Sequence, residues 1–248
     1  MAEIIKNTIL EIGPQKVAGI TTDNAANMKA SWEIIGNEFP HIFTYPCLAH
    51  SLNLIFTDLK TIDSLKSFLA ETVSLCKTIK YSHAMAGFLR KQAGSMTIKI
   101  PVETRWGSIV TCFKSVKANK QGIKNMAIAA EMEGILKKHA HVKKTALSDI
   151  FWDKLEGYTS LLAPIADAIT KVEADKPTLS KGLAIYCDME KTVKTSLNAS
   201  PMLVNEEKKV QKILESRRKF AIYDVHKVAD LLDPRFKGCH LSTEEQVS

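Results

Sequence analysis

Apolar residues change their spacing once along this chain, from a short mixed pattern at the amino end to an almost unbroken helical one. Residues 1–12 carry Ile4, Ile5, Ile9 and Ile12, which a helix would turn toward the segment that follows. After the turn signal Gly13-Pro14, Val17 to Thr22 is short, apolar and β-branched, the profile of a buried strand. The strand ends on Asp23. Met28, Trp32, Ile35 and Phe39 then recur at spacings of four, three and four, predicting an amphipathic helix closed by Pro40. His41 to Cys47 alternates polar with apolar and aromatic positions, which predicts a second strand that Pro46 ends or marks as an edge.

Beyond this point the period is helical. Ile62, Leu65, Leu69, Val73, Cys76 and Ile79 step by three or four, giving one long helix. Gly94-Ser95 and Pro101 interrupt the pattern over residues 92–104. A helix over roughly 105–136 follows, then one over Leu147 to Thr170 with a kink position at Pro164. A third opens after Lys176-Pro177-Thr178, with Leu179, Leu183, Tyr186, Met189 and Val193 on one stripe. A charged helix then starts near Asn205, its Glu206-Glu207 suiting the amino end of the helix dipole, and Leu231-Leu232-Asp233-Pro234 stops it. The polar tail Ser242 to Ser248 is expected to fray. The fold class read from these periods is α+β and predominantly α: a strand-helix-strand piece over 1–57, then an all-helical piece over 58–248, with a seam near Thr57.

Composition narrows the class. The 45% apolar and 25% charged content is that of a globular protein, and 248 residues suffice for two modest domains. No apolar run is long enough to span a membrane and residues 1–20 lack a signal-peptide core, so the chain is expected inside the cell with no membrane partner. The five cysteines, at 47, 76, 112, 187 and 239, form no CxxC pair and suggest neither a disulfide framework nor a four-cysteine zinc site. Net charge of +7 is concentrated: Lys77 to Lys120 holds nine basic residues, among them Lys99, Arg105, Lys114 and Lys117, against Glu103 alone. Such a segment could neutralise several phosphates of a nucleic acid, or could be an ordinary solvated helix face.

Four groups of residues carry candidate chemistry. Asp23 stands at the carboxyl end of a strand from which a helix departs, where open α/β sheets bind ligands and metals; capping of that helix by Asp23 or Asn24 is the competing explanation. Cys47 and His50 have a zinc-compatible spacing, but a structural zinc needs four ligands and no second pair is near; His50 could instead orient an acidic centre. His139 and His141 read as a solvated loop. Arg105-Trp106 could clamp a phosphate and stack on an unpaired base, worth about 1–3 kcal/mol per base, or Trp106 could anchor a helix in the core. No Gly-x-Ser-x-Gly elbow or glycine-rich phosphate loop is present.

Taken together, Thr22-Asp23-Asn24-Ala25-Ala26-Asn27-Met28, Cys47-Leu48-Ala49-His50-Ser51-Leu52-Asn53-Leu54, Thr104-Arg105-Trp106, Pro177-Thr178-Leu179-Ser180 and Leu232-Asp233-Pro234-Arg235-Phe236-Lys237 resemble the ordered motifs of hAT-superfamily transposases, most closely the BED-zinc-finger-associated and domesticated members. The resemblance spans nearly the whole chain. It implies a ribonuclease-H-like core, represented in part by residues 1–57, interrupted by a helical insertion domain, and a nuclear protein with DNA as partner. It also implies three carboxylates holding two divalent ions, usually Mg2+, that activate a hydroxyl and stabilise a phosphodiester leaving group. By resemblance Asp23 is the second carboxylate, Cys47 and His50 match an element near the active centre, and Arg105 and Trp106 support a flipped-out base. The first and third carboxylates have no counterpart here, since upstream of Asp23 only Glu3 and Glu11 on the opening helix are available. The expectation is therefore a transposase-like fragment or domesticated protein that binds DNA without cutting it and needs no cofactor as it stands. The alternatives are a helical scaffold that binds a protein partner or a second copy of itself, and a fragment of an active transposase.

Overall fold

The computed structural model describes residues 1–92, 94–102, 107–174 and 179–242. The chain opens with α1 (Ala2–Ile12), which Gly13 ends at φ 96°, in the region glycine tolerates best. Strand β1 (Gly19–Thr22), helix α2 (Ala26–Glu38) and strand β2 (Phe43–Pro46) follow. The strands pair in parallel, Gly19 opposite Phe43 through Thr22 opposite Pro46, with α2 as the crossover that a parallel pair requires. Pro46 is tolerated because the N–H groups on either side of it that face β1 are those of Phe43 and Cys47, which donate to the Ala18 and Thr22 carbonyls, so a proline at 46 removes no ladder bond.

The remaining helices among the described residues are α3 (Leu48–Leu59), α4 (Asp63–Tyr81), α5 (His83–Arg90), α6 (Ser108–Ala118), α7 (Lys120–Ile128), α8 (Glu133–Lys138), α9 (Ala140–Ala146), α10 (Asp149–Val172), α11 (Gly182–Leu197), α12 (Val204–Ala221) and α13 (Asp224–Leu232). The described residues are thus predominantly α with one two-stranded sheet, the α+β class expected from periodicity.

The chain folds as two compact units. The first joins Met1–Ile55, Ala168–Glu190 and Lys212–Ser248; the second joins Phe56–Asp167 and Lys191–Gln211. In the first, Ile9, Ile35, Phe39 and Ile42 form a buried cluster with Ile5, Val17 and Ile20 packed against it. The stripe on α2 is the one its spacing predicts, with Trp32, Ile35 and Phe39 all buried. On α1 the buried face is narrower: Ile9 is buried, whereas Ile4 and Ile12 face solvent. An ion pair between Lys6 and Glu38 (2.6 Å) closes the polar side of α1 and α2.

The second unit is organised around Phe68 on α4. Its ring lies 5.5 Å from Phe113, 5.4 Å from Phe151 and 5.0 Å from Tyr158, so α4, α6 and α10 converge on one aromatic cluster. Tyr158 satisfies its hydroxyl on Ser64 Oγ at 3.0 Å, and Trp152 donates Nε1–H to the Ala146 carbonyl at 2.9 Å. Glu206, nearly buried, receives the Ser64 N–H at 3.1 Å and the Leu203 N–H at 3.2 Å.

Three sequence expectations need correction. The single helix over 105–136 is three, α6, α7 and α8, broken first at Asn119. Asn119 is buried and spends its amide on nearby backbone, donating to the Met96 and Ser115 carbonyls at 2.7 Å each and accepting the Met96 N–H at 3.1 Å. The charged helix begun near Asn205 is likewise two, because Tyr223 turns extended and its N–H is captured by His226 Nδ1 at 3.2 Å. His139 and His141 lie at the α8–α9 junction and in α9 rather than in a loop, and His141 Nε2 meets Thr78 Oγ1 at 3.1 Å. Helix α10 passes through Pro164 without interruption.

Candidate functional site

Parallel pairing brings the ends of β1 and β2 to the same edge, and the ladder continues one residue further through the Cys47 N–H to the Thr22 carbonyl at 2.6 Å. Asp23 and Cys47 therefore leave the sheet side by side, each leading into a helix, at the carboxyl edge where α/β sheets bind ligands. Asp23 is exposed, and its Oδ1 accepts the Ala25 N–H at 3.2 Å, an Asx-type turn. Because Ala25 is the residue that caps α2, neither Asp23 nor Asn24 caps that helix; Asp23 instead shapes the turn before it. Thr22 fixes this corner from beneath: its hydroxyl donates to the Asp23 carbonyl at 2.9 Å and accepts Trp32 Nε1–H at 3.0 Å. Asn24 holds its side-chain oxygen out of solvent with no hydrogen-bond partner among the described residues.

Cys47 precedes α3, and its carbonyl accepts both the N–H and the hydroxyl of Ser51 at 3.0 Å. His50 follows in the first turn, half-buried, on the same side as Cys47 by its spacing of three. Among the described residues no group of three or more His, Cys, Asp or Glu side chains is placed to hold a metal ion. Among the described residues, the side chains around Asp23 therefore do not make up the three-carboxylate Mg2+ centre that the resemblance implies.

The same unit brings three of the sequence motifs together. Tyr45 on β2 packs edge-on against His226 of α13 (5.5 Å, 82°), and Gly182 sits so close to both His226 and Leu48 that an added Cβ would come within 3.0 Å of the first and 3.1 Å of the second. Burial depresses the His226 imidazole to about 4, so it is neutral at physiological pH. The Ser180 hydroxyl bonds to Asp233, whose carboxylate also takes Arg235 Nε–H at 2.9 Å and Nη2–H at 2.5 Å. These bonds, Arg235 foremost, hold the Asp233 carboxyl well below the usual range. Periodicity gives no reason to single out Tyr45 or His226; the one local signal is a histidine three residues into a helix, where it can cap the preceding N–H.

The basic segment looks different in space than in sequence. Lys117 pairs with Glu156 (2.5 Å), Lys114 approaches Asp167 (3.9 Å), and Lys124 pairs with Asp149 (2.9 Å). All three acids lie on α10, so a charge count confined to residues 77–120 misses them. Lys120 stands over the Trp152 ring at 5.5 Å. Lys77, Lys80, Arg90, Lys91 and Lys99 make no ion pair with a described residue. Lys99 extends from the irregular 95–102 stretch, anchored by its N–H to Ser115 Oγ at 3.0 Å. Lys80 and Arg90 line a pocket of about 350 Å³ whose other walls include Ile79, Leu89, Met96 and Ile98. Arg105 and Trp106, with Glu103 and Thr104, lie outside the described residues, as do Pro177 and Thr178.

Residues 1–75 match a family model described as a domain of unknown function (DUF659), a domain found in hAT-like transposase-related proteins. The match covers less than a third of the chain. No curated protein and no solved structure matches it. No helix among the described residues is long and apolar enough to cross a membrane.

Proposed function

We propose that this chain, whose first 75 residues match a domain of transposase-related proteins, is a hAT-like nuclear protein that binds DNA through its helical part and does not itself cut it. The observation that carries the reading is the group of cations without acidic partners among the described residues, Lys77, Lys80, Arg90, Lys91 and Lys99, two of which, Lys80 and Arg90, line a pocket that also offers apolar contact. Such a surface releases counterions on meeting phosphates and gives an unpaired base something to rest on. Arg105 and Trp106 belong to the same reading by their place in the sequence. Residues 1–57 are read as part of a ribonuclease-H-like core in which Asp23 is a single carboxylate, too few to hold two metal ions.

A titration of single-stranded and hairpin DNA at two salt concentrations tests it. Binding should weaken with salt, and each cation removed, Lys80→Ala or Arg90→Ala, should shallow the log–log slope by roughly 0.7–0.9. Trp106→Ala should weaken single-stranded binding by about 1–3 kcal/mol. Absent or salt-insensitive binding overturns the proposal.

The ion pairs from Lys114, Lys117 and Lys124 to α10 favour a second reading, a helical scaffold for a protein partner or a second copy of the chain. Those lysines already have anionic partners, so they add less to a phosphate-binding field than their number suggests. A scaffold would retain its partner at salt concentrations that abolish DNA binding.

A further inference from the structure

After α13 the chain reverses through Lys237 (φ 51°) and Gly238 (φ 74°), and the Gly238 N–H returns to the Asp230 carbonyl at 3.3 Å. A side chain at 238 would come within 3.0 Å of Leu231 Cδ1 and 3.2 Å of Leu241 Cδ1, so the reversal depends on glycine. Its result is to lay Cys239 and His240 back against α13. There His240 Nδ1 sits 2.7 Å from Asp230 Oδ2. Asp230 is fully buried, and its other oxygen, also buried, has no hydrogen-bond partner, so among the described residues His240 is the one group its side chain engages. A buried carboxylate on Nδ1–H fixes the imidazole tautomer and leaves Nε2 as the basic nitrogen. Phe236 packs edge-on against the ring (5.2 Å, 70°) and limits its rotation. The Cys239 thiol is exposed and lies 3.8 Å from Nε2 and 3.5 Å from Nδ1.

The other cysteines are placed differently. Cys76 and Cys112 are buried with their sulfurs 3.6 Å apart, and their mutual hydrogen bond together with burial pushes the Cys76 thiol far up. Cys187 is half-buried against the His240 carbonyl (3.9 Å) and Arg218 (3.5 Å), and burial raises it as well. Cys47 is half-buried at the sheet edge. Cys239 alone among the five is exposed, and a base oriented by a buried acid stands beside it.

We infer that Cys239 is a nucleophilic thiol, activated by the His240–Asp230 pair, that forms mixed disulfides with low-molecular-weight disulfides. The Cys239 S–H proton passes to His240 Nε2 while Nδ1–H stays on Asp230. The thiolate attacks one sulfur of the reagent; a new S–S bond forms as the old one breaks. The departing thiolate takes the proton from the imidazolium and leaves as a free thiol. Cys239 is oxidised, the released half of the reagent is reduced, and no further oxidant enters.

The test follows reaction of the full chain with 5,5′-dithiobis(2-nitrobenzoate), with oxidised glutathione as second probe, in a variant carrying Cys47→Ser and Cys187→Ser. Cys239 should react faster in the native protein than in the same protein unfolded in urea, by on the order of tenfold or more, a modest share of what a positioned base supplies. His240→Gln should remove that advantage while the circular dichroism spectrum is retained, and Asp230→Asn should reduce it. A native rate equal to or below the unfolded rate, or a folded His240→Gln variant as fast as its parent, overturns the inference. If His240→Gln fails to fold, the native-against-unfolded comparison alone decides.

Discussion

Moving from about pH 7.5 to about pH 5 should weaken the packing of α13 on β2, and His226 supplies the reason and the size of the effect. The imidazole is 2% exposed, wedged between the Tyr45 ring and the Gly182 backbone, and held near a pKa of about 4 by that burial. Unfolded, it titrates near 6.5. Above that value both states carry a neutral ring and stability does not depend on it. Below it the unfolded chain takes up a proton that the folded chain refuses, and each pH unit then costs about 1.4 kcal/mol until the folded ring also protonates. The loss at pH 5 is therefore about 2 kcal/mol, a substantial part of a typical domain stability of about 5–15 kcal/mol. His226→Asn is the useful comparison, because an asparagine oxygen can accept the Tyr223 N–H as Nδ1 does and cannot titrate. Urea unfolding of both proteins at the two pH values, with amide exchange read across residues 224–232, should show the wild type losing about 2 kcal/mol more than the variant. Equal losses in the two proteins, or a His226 ring that titrates near 6.5 by NMR, would refute the reasoning.

Other substitutions probe each unit separately. Ile35→Ala empties a wholly buried position in the cluster of Ile9, Phe39 and Ile42 and should cost about 2–5 kcal/mol in urea unfolding. Phe68→Ala removes three aromatic contacts at once and should cost about 3–5 kcal/mol, whereas the exposed Phe43→Ala should stay within about 0.5 kcal/mol. Glu206→Ala leaves the Ser64 and Leu203 N–H groups without their acceptor and should lower stability by about 1–3 kcal/mol at neutral pH. Burial opposes ionisation of Glu206, but the Ser64 and Leu203 bonds outweigh it and hold its carboxyl below the ordinary range. Its contribution is thus intact at neutral pH and fades as acid protonates it, a trend the alanine variant should lack.

What the residues disclosed depended on how local the cause was. The stripe Trp32, Ile35, Phe39 and the sequence Leu183, Tyr186, Met189, Val193 became buried faces because helical spacing alone aligns them, whereas Leu179, read onto the second stripe, precedes α11 and is exposed. The breaks at Asn119 and Tyr223 were hidden, since neither is a proline or glycine. Each is made by a side chain binding backbone, Asn119 to Met96 and His226 to Tyr223, and only the folded chain shows which group is within reach. Asp23 and Cys47 could be named from sequence but not paired, because their adjacency comes from strand register. The acids opposite Lys114, Lys117 and Lys124 were invisible to a charge count along the chain for the same reason: α10 is distant in sequence and near in space.

The first unit draws residues from three stretches, and its opening 55 residues are separated from the next contributing stretch, which begins at Ala168, by the whole of Phe56–Asp167. On a ribosome this becomes a matter of timing. At roughly 5–20 residues per second, β1 and β2 wait on the order of 5–20 s before their neighbours from 168 onward exist, and longer for α13. The second unit is mostly complete by then. During that interval Tyr45 lacks His226, and a two-stranded sheet of this size is marginal without cover. Nascent chains should therefore protect α4 and α6 from protease before β2, and synonymous changes that slow translation between residues 56 and 167 should lengthen the vulnerable period without altering the finished protein.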